Sequence, residues 1–207
     1  ITEDHIGNII VEKKGNSNTS SIMLVAHCDE IGFAVKYIDE SGFIHFSPLG
    51  GIDLSILRGR DVVIKHKEQT VCGVIGARPV SLSKNNKSKD IDISDLWIDI
   101  GATSKEEAMS IVSHGDYVIL DTDVRPLLNN CITARAMDDR IGAFIVIEAM
   151  KKAKEMKAKV DVVAVTTVGE ETSGRGAYYA GTNEKPDCAI IVDVTYASDG
   201  IGAGQVY

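Results

Sequence analysis

The sequence predicts an α/β domain that is interrupted by a β-rich insertion. Three apolar runs have the length of strands, and the later two are rich in Val and Ile. These runs are SIMLVA from Ser21, VDVVAVTTV from Val160 and CAIIVDV from Cys188. A strong helix pattern lies between the first two runs. Strand runs that alternate with a helix favour a parallel sheet covered on both faces.

The first strand is followed by a second strand pattern, IGFAVKYI from Ile31, which alternates in part between apolar and polar residues. After the turn at Gly50 and Gly51 the pattern changes. Residues 61–80 predict short strands with a hairpin near Lys67–Thr70. The sequence therefore predicts that residues 47–123 form the β-rich insertion.

The rest of the insertion contains a strand, DLWIDIGA from Asp95, and a helix that Thr103 or Ser104 caps. The strong helix pattern covers 138–156, with acids at its start and lysines at its end, which suits the helix dipole. Residues 1–46 and 124–207 are therefore predicted to form one α/β domain.

The composition is that of an ordinary globular protein, with 207 residues, 44% of them hydrophobic and 25% charged. A formal net charge of −8 argues against nucleic acid as the main partner. The lysine-rich stretch at 84–89 is short and polar and predicts a loop. The sequence contains no pattern of a signal peptide or a membrane span, and we expect no membrane partner.

The cysteines indicate the cellular compartment of the protein, and the chain ends bear on whether the sequence is a fragment. Four cysteines are scattered without paired spacing, which favours a reduced protein in the cytoplasm over a disulfide framework. The chain begins without Met and ends at GIGAGQVY. We expect a fragment that lacks both ends.

Polar residues with metal-binding chemistry follow the first strand and open the long helix. His27 and Asp29 come after the run SIMLVA, and Asp138 and Asp139 precede the helix. Taken alone, His27 is better explained as a histidine that hydrogen-bonds at a strand end. The aspartates are explained as a helix N-cap, although one aspartate is enough for a cap.

Two further acidic sites follow the later strands. Glu170 and Glu171 come after Gly169, and Asp193 ends the last apolar run. Adjacent residues in an extended segment point to different sides, so one glutamate could bind a metal while the other acts on a water molecule. The alternatives are a solvated acidic loop for the glutamates and a turn former for Asp193.

Together these sites predict a metal centre. In an open parallel sheet the carboxyl ends of the strands line one crevice, so His27, Asp138, Glu170, Glu171 and Asp193 could converge there. Clustered acids repel each other unless a multivalent cation lies among them. Imidazole and carboxylate ligands suit zinc, cobalt or manganese, and a set with one histidine suits a pair of ions about 3.5–4 Å apart.

Four motifs resemble one known family. They are AHCDEIGF, ARAMDDRIG, VGEETSGRGA and DVTYASD. They are similar to motifs of the glutamyl and deblocking aminopeptidases, metallopeptidase family forty-two, which includes tetrahedral peptidases and proteins once labelled endoglucanases. GGIDLSILRGRDVVIK, GVIGARPVSL and DLWIDIGATSKEEA resemble the dimerisation domain of that family.

The resemblance implies a role for each residue of the predicted site. His27, Glu171 and Asp193 would each bind one metal ion, and Asp138 would bridge two ions. Glu170 would be the general base that activates the bridging water. Asp29 would orient His27 through the second ring nitrogen.

The same resemblance implies the fold, the activity and the partners. We expect a zinc-peptidase-like three-layer α/β/α catalytic domain with a small β-barrel-like dimerisation insertion. Two divalent metal ions per subunit, zinc or cobalt, would hydrolyse N-terminal residues from peptide substrates. Dimers would assemble into a dodecamer.

Two features depart from the family pattern. The family supplies a fifth ligand, a histidine near its C-terminus, which is expected beyond Tyr207. We interpret the remaining histidines, His5, His45, His66 and His114, as structural or surface residues. The residue before Arg175 is also smaller than is usual in the family, which affects the expected loop shape and not the ligands.

Two other functions remain open from the sequence. A related metal-dependent amidohydrolase or deacylase would use the same metal site and differ in its substrate pocket. A catalytically silent assembly subunit is favoured by the missing histidine and opposed by the four other ligand positions.

Overall fold

The computed structural model describes residues 1–16, 20–78 and 91–197. The chain forms two compact units, one from Ile1–Glu30 together with Ala136–Tyr207 and the other from Ile31–Arg135. The first is called the sheet unit and the second the barrel unit. The lysine-rich stretch at 84–89 lies outside the described residues.

The sheet unit contains a five-stranded sheet in the order β1-β2-β12-β3-β13. Its strands are β1 (Thr2–Glu3), β2 (Ile9–Lys13), β3 (Ser21–His27), β12 (Asp161–Thr167) and β13 (Cys188–Ile191). β3 lies between β12 and β13 and is parallel to both. β2 is antiparallel to β12 and joins β1 at the edge. The predicted parallel sheet is confirmed for the three strands that carry the long apolar runs.

Helices cover both faces of this sheet. They are α2 (Met137–Glu155), the short α3 (Glu170–Ser173) and α4 (Arg175–Glu184). Alternate residues of β12 point to opposite faces: Val162 and Ala164 pack in the core beneath α2, while Val163 and Val165 pack in the core that contains Ala180 of α4. The apolar runs of β3 and β12 are continuous because both faces of these strands are largely buried, whereas the residues of β13 are exposed. The predicted three-layer α/β/α fold is therefore confirmed.

The barrel unit contains a closed six-stranded barrel in the order β4-β5-β8-β7-β6-β9. Its strands are β4 (Gly32–Ile38), β5 (Ile44–Leu49), β6 (Asp61–His66), β7 (Gln69–Ala77), β8 (Leu96–Asp99) and β9 (Tyr117–Leu120). The unit also contains α1 (Lys105–Met109) and the two-stranded sheet of β10 (Arg125–Pro126) and β11 (Ile132–Thr133). The predicted β-barrel-like insertion is confirmed, since closure leaves no strand edge unpaired.

Local predictions within the barrel unit also agree with the structure. The hairpin between β6 and β7 turns at Lys67, whose φ is +51°. Ser104 is the N-cap of α1 and accepts a hydrogen bond from the N–H of Glu107 at 3.2 Å. Trp97, the only tryptophan of the sequence, was expected to be exposed but is half-buried, with its ring 5.8 Å from that of Phe43.

The barrel unit is wider at both ends than the predicted insertion of 47–123. It runs from Ile31 to Arg135, because β4 and β5 close the barrel against β9 and β8. The sequence analysis assigned β4 to the α/β domain because the sequence pattern changes only after Gly50 and Gly51. Hydrophobic alternation shows that a segment is a strand, but it does not show which sheet the strand joins.

Within the described ranges, no helix is long and apolar enough to cross a membrane.

Replacing Phe33 by Ala should strongly destabilise the barrel. Phe33 is fully buried, and its ring packs edge-on against that of Phe46 with centroids 4.9 Å apart. We expect the free energy of unfolding to fall by about 3–5 kcal/mol, since a large cavity remains. Urea unfolding followed by the fluorescence of Trp97 measures this, because the only tryptophan lies in the barrel. Lys36→Ala on the same strand is the control and should change stability by less than about 0.5 kcal/mol. Equal losses would contradict the assignment of Phe33 to the core.

Candidate metal centre

The carboxyl ends of β3, β12 and β13 lie at one edge of the sheet. In the pairing of β3 with β12, Thr167 lies opposite His27. In the pairing of β13 with β3, Ile191 lies opposite Val25. Because all three strands run in the same direction, the residues that follow them, including Asp193, leave the sheet at this edge.

His27 is the last residue of β3, and its side chain is only 2% exposed. Its Nε2 lies 3.0 Å from Oδ1 of Asp138 and 3.9 Å from Oε2 of Glu170. Its Nδ1 lies 3.2 Å from the main-chain oxygen of Asp29 and 3.5 Å from the carboxylate of that residue. Asp29 therefore lies against the second ring nitrogen, with its carbonyl oxygen as the nearer contact.

The charge around His27 is strongly negative. Burial opposes a charged imidazole, but the hydrogen bond to Asp138 and the charges of Asp29 and Glu170 outweigh it and raise the pKa of His27. The surrounding carboxylates therefore favour a positive charge at this place.

The two aspartates at the start of α2 make different contacts. Both have non-helical φ/ψ, and a cis peptide bond joins them. Asp139 is fully buried, and its Oδ1 accepts a hydrogen bond from the N–H of Gly142 at 3.1 Å. This is an N-cap contact, so the cap explanation holds for Asp139. A Cβ on Gly142 would lie 2.3 Å from the carboxylate, which explains the glycine. Asp138 contacts His27 instead.

Asp139 also has an oxygen that faces the site. Its Oδ2 is buried and has no hydrogen-bond partner within the described part of the chain. Burial and then the charge of Asp193 raise the pKa of Asp139. A buried carboxylate oxygen without a partner is unfavourable unless a cation or a proton lies against it. A bound cation or a proton on Asp139 would satisfy this atom.

Glu170 and Glu171 begin α3, where Asp29 binds their main chain. The N–H of Glu170 donates to Oδ1 of Asp29 at 3.2 Å, and the N–H of Glu171 donates to Oδ2 at 3.3 Å. The side chain of Glu170 is 45% exposed, whereas Glu171 is half-buried. Burial and then the charge of Asp138 raise the pKa of Glu171. The carboxylate of Asp29 thus joins the loop after β3 to the loop after β12.

Ligand-capable side chains form two groups that share His27. One group adds Asp138 and Glu171, and the other adds Asp139 and Asp193. In each group, one ligand atom per residue lies within 4.8 Å of the others. This set of one imidazole and several carboxylates fits zinc, cobalt or manganese.

The sequence analysis identified most of these residues. The five residues expected to converge do lie at this edge: His27, Asp138, Glu170, Glu171 and Asp193. It gave no metal-related role to Asp139. The available signal was the aspartate pair, since a cap needs only one of the two.

Two other histidines pair with acids inside the barrel unit. His45 Nε2 lies 3.3 Å from Oδ2 of Asp39, and His66 Nδ1 lies 2.8 Å from Oδ2 of Asp116. Neither belongs to a group that could hold a metal within the described residues. These contacts support the structural role expected for both histidines.

The loop that carries the glutamates closes tightly on itself. A Cβ on Gly176 would lie 2.3 Å from the main-chain oxygen of Val168. Gly174, where the sequence departs from the family pattern, has φ of +66° and ends α3. That conformation favours glycine.

The chain matches the model of one peptidase family over nearly its whole length. The model of M42 glutamyl aminopeptidases covers residues 7–206. A curated relative from Acetivibrio thermocellus is 39% identical over 199 residues. The alignment covers 96% of this chain and 57% of the relative, so the chain spans little more than half the length of that protein.

Solved structures of archaeal peptidases have the same fold. A TET aminopeptidase from a marine-sediment Thaumarchaeota archaeon superposes with a TM-score of 0.88 at 33% identity, covering 96% of this chain and 57% of its own. The TET1 peptidase of Pyrococcus horikoshii gives a TM-score of 0.82 at 36% identity, covering 93% of this chain and 58% of its own. That peptidase can assemble into a tetrahedron or a large octahedral shell.

Replacing Gly176 by Ala should destabilise the loop that holds the glutamates. The added methyl would meet main-chain atoms of Val168, which cannot move aside easily. We expect the free energy of unfolding to fall by about 1–3 kcal/mol. Gly181→Ala in the same helix is the control, since its Cβ would come no closer than 3.9 Å, to Met23. It should be neutral or stabilising by up to about 1 kcal/mol. The free energy of unfolding is measured by urea unfolding followed by circular dichroism. Equal values for the two variants would refute the close approach of Gly176 to Val168.

Proposed function

The chain belongs to the M42 glutamyl aminopeptidase family, and we propose that the protein is a metal-dependent aminopeptidase that releases N-terminal residues from peptides. The proposal rests above all on the two groups of ligand-capable side chains that share His27. The peptidase names of the related structures support the reaction class. The chain covers 57% of the curated relative from Acetivibrio thermocellus, so this activity is proposed for the whole protein.

Two divalent ions, zinc or cobalt, would be held by His27, Asp138, Glu171 and Asp193, with Asp138 shared between the ions. The group of His27, Asp138 and Glu171 supports this assignment. The second group supports a cation beside His27 and Asp193, but it places Asp139 there and not Asp138. When bound, such ions polarise the scissile carbonyl and lower the pKa of a water molecule.

The protein side chains would carry the proton transfers. Glu170 would accept a proton from the attacking water and deliver it to the leaving amine. Its side chain is 45% exposed and lies near His27, so it can reach a substrate. Glu171 is half-buried and lies beside Asp138 and His27, which suits a ligand. Asp29 would orient His27 and hold the main chain of both glutamates.

The central experiment is a release assay with full-length protein. Metal-free protein would be loaded with zinc, cobalt or manganese and tested on a panel of aminoacyl anilides. Release that depends on added metal would support the proposal. A metal-loaded protein that cleaves N-acylated compounds and no aminoacyl anilide would favour the related deacylase instead. A loaded protein inactive on both would favour a silent assembly subunit.

The two glutamates should respond differently to the same substitution. Glu170→Gln removes a proton carrier, so we expect both metals to remain while kcat falls by about 10²–10⁴-fold. Glu171→Gln weakens a ligand, so we expect the protein to lose one metal. Metal content by mass spectrometry and kcat are measured on the same samples.

Each variant is the control for the other, because the two substitutions are chemically identical and adjacent in the chain. Loss of a metal from Glu170→Gln together with full metal content in Glu171→Gln would show that the proposed roles are reversed.

We also propose that the barrel unit forms a subunit interface and that dimers assemble into a dodecamer in the cytoplasm. The assembly of the Pyrococcus horikoshii relative supports association. Exposed apolar side chains on the barrel unit also support it, among them Tyr37, Ile56, Val74 and Tyr117. The four cysteines have no paired spacing, which supports a location in the cytoplasm, where disulfides are rare.

Residues 31–135, expressed alone, should form a dimer. This segment is a compact unit with its own core, so it retains the surface that we assign to the interface. Light scattering at several concentrations gives its mass. A monomeric barrel beside an oligomeric full-length protein would place the interface elsewhere.

A further inference from the structure

The segment that carries both glutamates is anchored at its two ends. We call residues 168–176 the glutamate segment. It contains α3, and Gly169 and Gly174 flank that helix with φ of +70° and +66°. Its two ends meet where Val168 approaches Gly176. Such a turn keeps one shape only if the polar main-chain groups at its ends are bound.

One side chain from the start of the chain binds both ends. Asn8 is fully buried. Its Oδ1 accepts a hydrogen bond from the N–H of Val168 at 3.0 Å, and its Nδ2 donates to the carbonyl of Gly176 at 3.0 Å. The amide therefore spans the segment from its first residue to its last.

The orientation of this amide is determined by a neighbouring acid. Asn8 Nδ2 also donates to Oδ2 of Asp4 at 2.7 Å. Oδ1 of Asp4 accepts from the N–H groups of Ile6 and Asn8. Burial opposes the charge of Asp4, but these hydrogen bonds outweigh it and lower the pKa of Asp4. The Asn8 amide thus faces two acceptors with its nitrogen and one donor with its oxygen, so only an amide satisfies all three partners.

The position of Asn8 follows from strand pairing. β2 begins at Ile9, which lies opposite Thr166 near the end of β12. Asn8 therefore emerges beside the place where the glutamate segment begins. None of its hydrogen bonds goes to a glutamate side chain, so it acts through the main chain alone.

We propose that Asn8 is a positioning residue that holds the glutamate segment in the shape that places Glu170 and Glu171 at the metal centre. Asp29 binds the N–H groups of the glutamates from within the site, and Asn8 binds the ends of the segment. The catalytic part of this inference rests on the proposed aminopeptidase function. The structural part does not.

The test uses Asn8→Asp in the full-length protein, because this change keeps the shape and removes the donor. The new carboxylate would face Oδ2 of Asp4 and the carbonyl of Gly176, both acceptors. Asn183→Asp is the matched control. Asn183 is exposed on α4, and its side chain donates only to the carbonyl of Tyr179, within its own helix.

Hydrogen–deuterium exchange of metal-free protein reports on the segment without any need for activity. We expect exchange across 169–174 to accelerate by about tenfold in Asn8→Asp and to stay unchanged in Asn183→Asp. After metal loading, we expect kcat per bound metal to fall by about 10–100-fold. KM should stay within a factor of about two. A purely structural role would lower the folded fraction and leave kcat per loaded molecule unchanged.

The outcomes separate this inference from the proposed function. Wild-type exchange and kcat in a folded Asn8→Asp variant would overturn the inference. A wild-type protein without peptidase activity would refute the proposed function, while the exchange result would still decide whether Asn8 holds the segment. If Asn8→Asp does not fold, Asp4→Ala replaces it, since it removes the acid that orients the amide, together with the acceptor of the Ile6 and Asn8 N–H groups. Faster exchange across 169–174 would then support the inference, and unchanged exchange would overturn it.

Discussion

Strand β3 pairs in parallel with β12 from Ser21 to His27, with Thr167 opposite the histidine. This pairing places the candidate ligands that follow the two strands side by side. It brings the end of β3 beside the glutamate segment, and the pairing of β3 with β13 adds Asp193 at the same edge. Since both faces of β3 and β12 are largely buried, a shift in their register would move apolar residues out of two cores at once. The geometry of the site is therefore supported by the packing of the whole sheet.

The site concentrates negative charge that the rest of the protein only partly balances. Two of its acids are stabilised by main-chain donors: Asp29 accepts from the glutamate segment, and Asp139 accepts from α2. The remaining acids crowd around one imidazole, where a multivalent cation would satisfy them together. The carboxylates of the site thus hold the loops in place, and together they favour the binding of a metal ion.

Local patterns predicted the elements of the fold well and their grouping less well. The strands, the hairpin at Lys67, the cap of α1 and the long helix follow from neighbouring residues. The edge of the barrel unit at Ile31 does not, since β4 has the same pattern whichever sheet it joins. The glutamate pair was visible as a motif. The anchoring by Asn8 was not visible as a motif. Asn8 lies 160 positions from Val168 and 168 positions from Gly176 in the chain, so no local pattern connects them.

The sequence by itself determined the layers of the fold and the chemistry of the site. Hydrophobic runs predict parallel strands, and parallel strands end at one edge, so the residues that follow them, His27, Glu170, Glu171 and Asp193, were expected to approach one another. Tertiary structure alone decided how each carboxylate is used. Asp138 contacts His27 while its neighbour Asp139 caps α2 and turns one oxygen towards the site. Hydrogen bonds depend on the distance and direction of single atoms, and only the packed chain sets these.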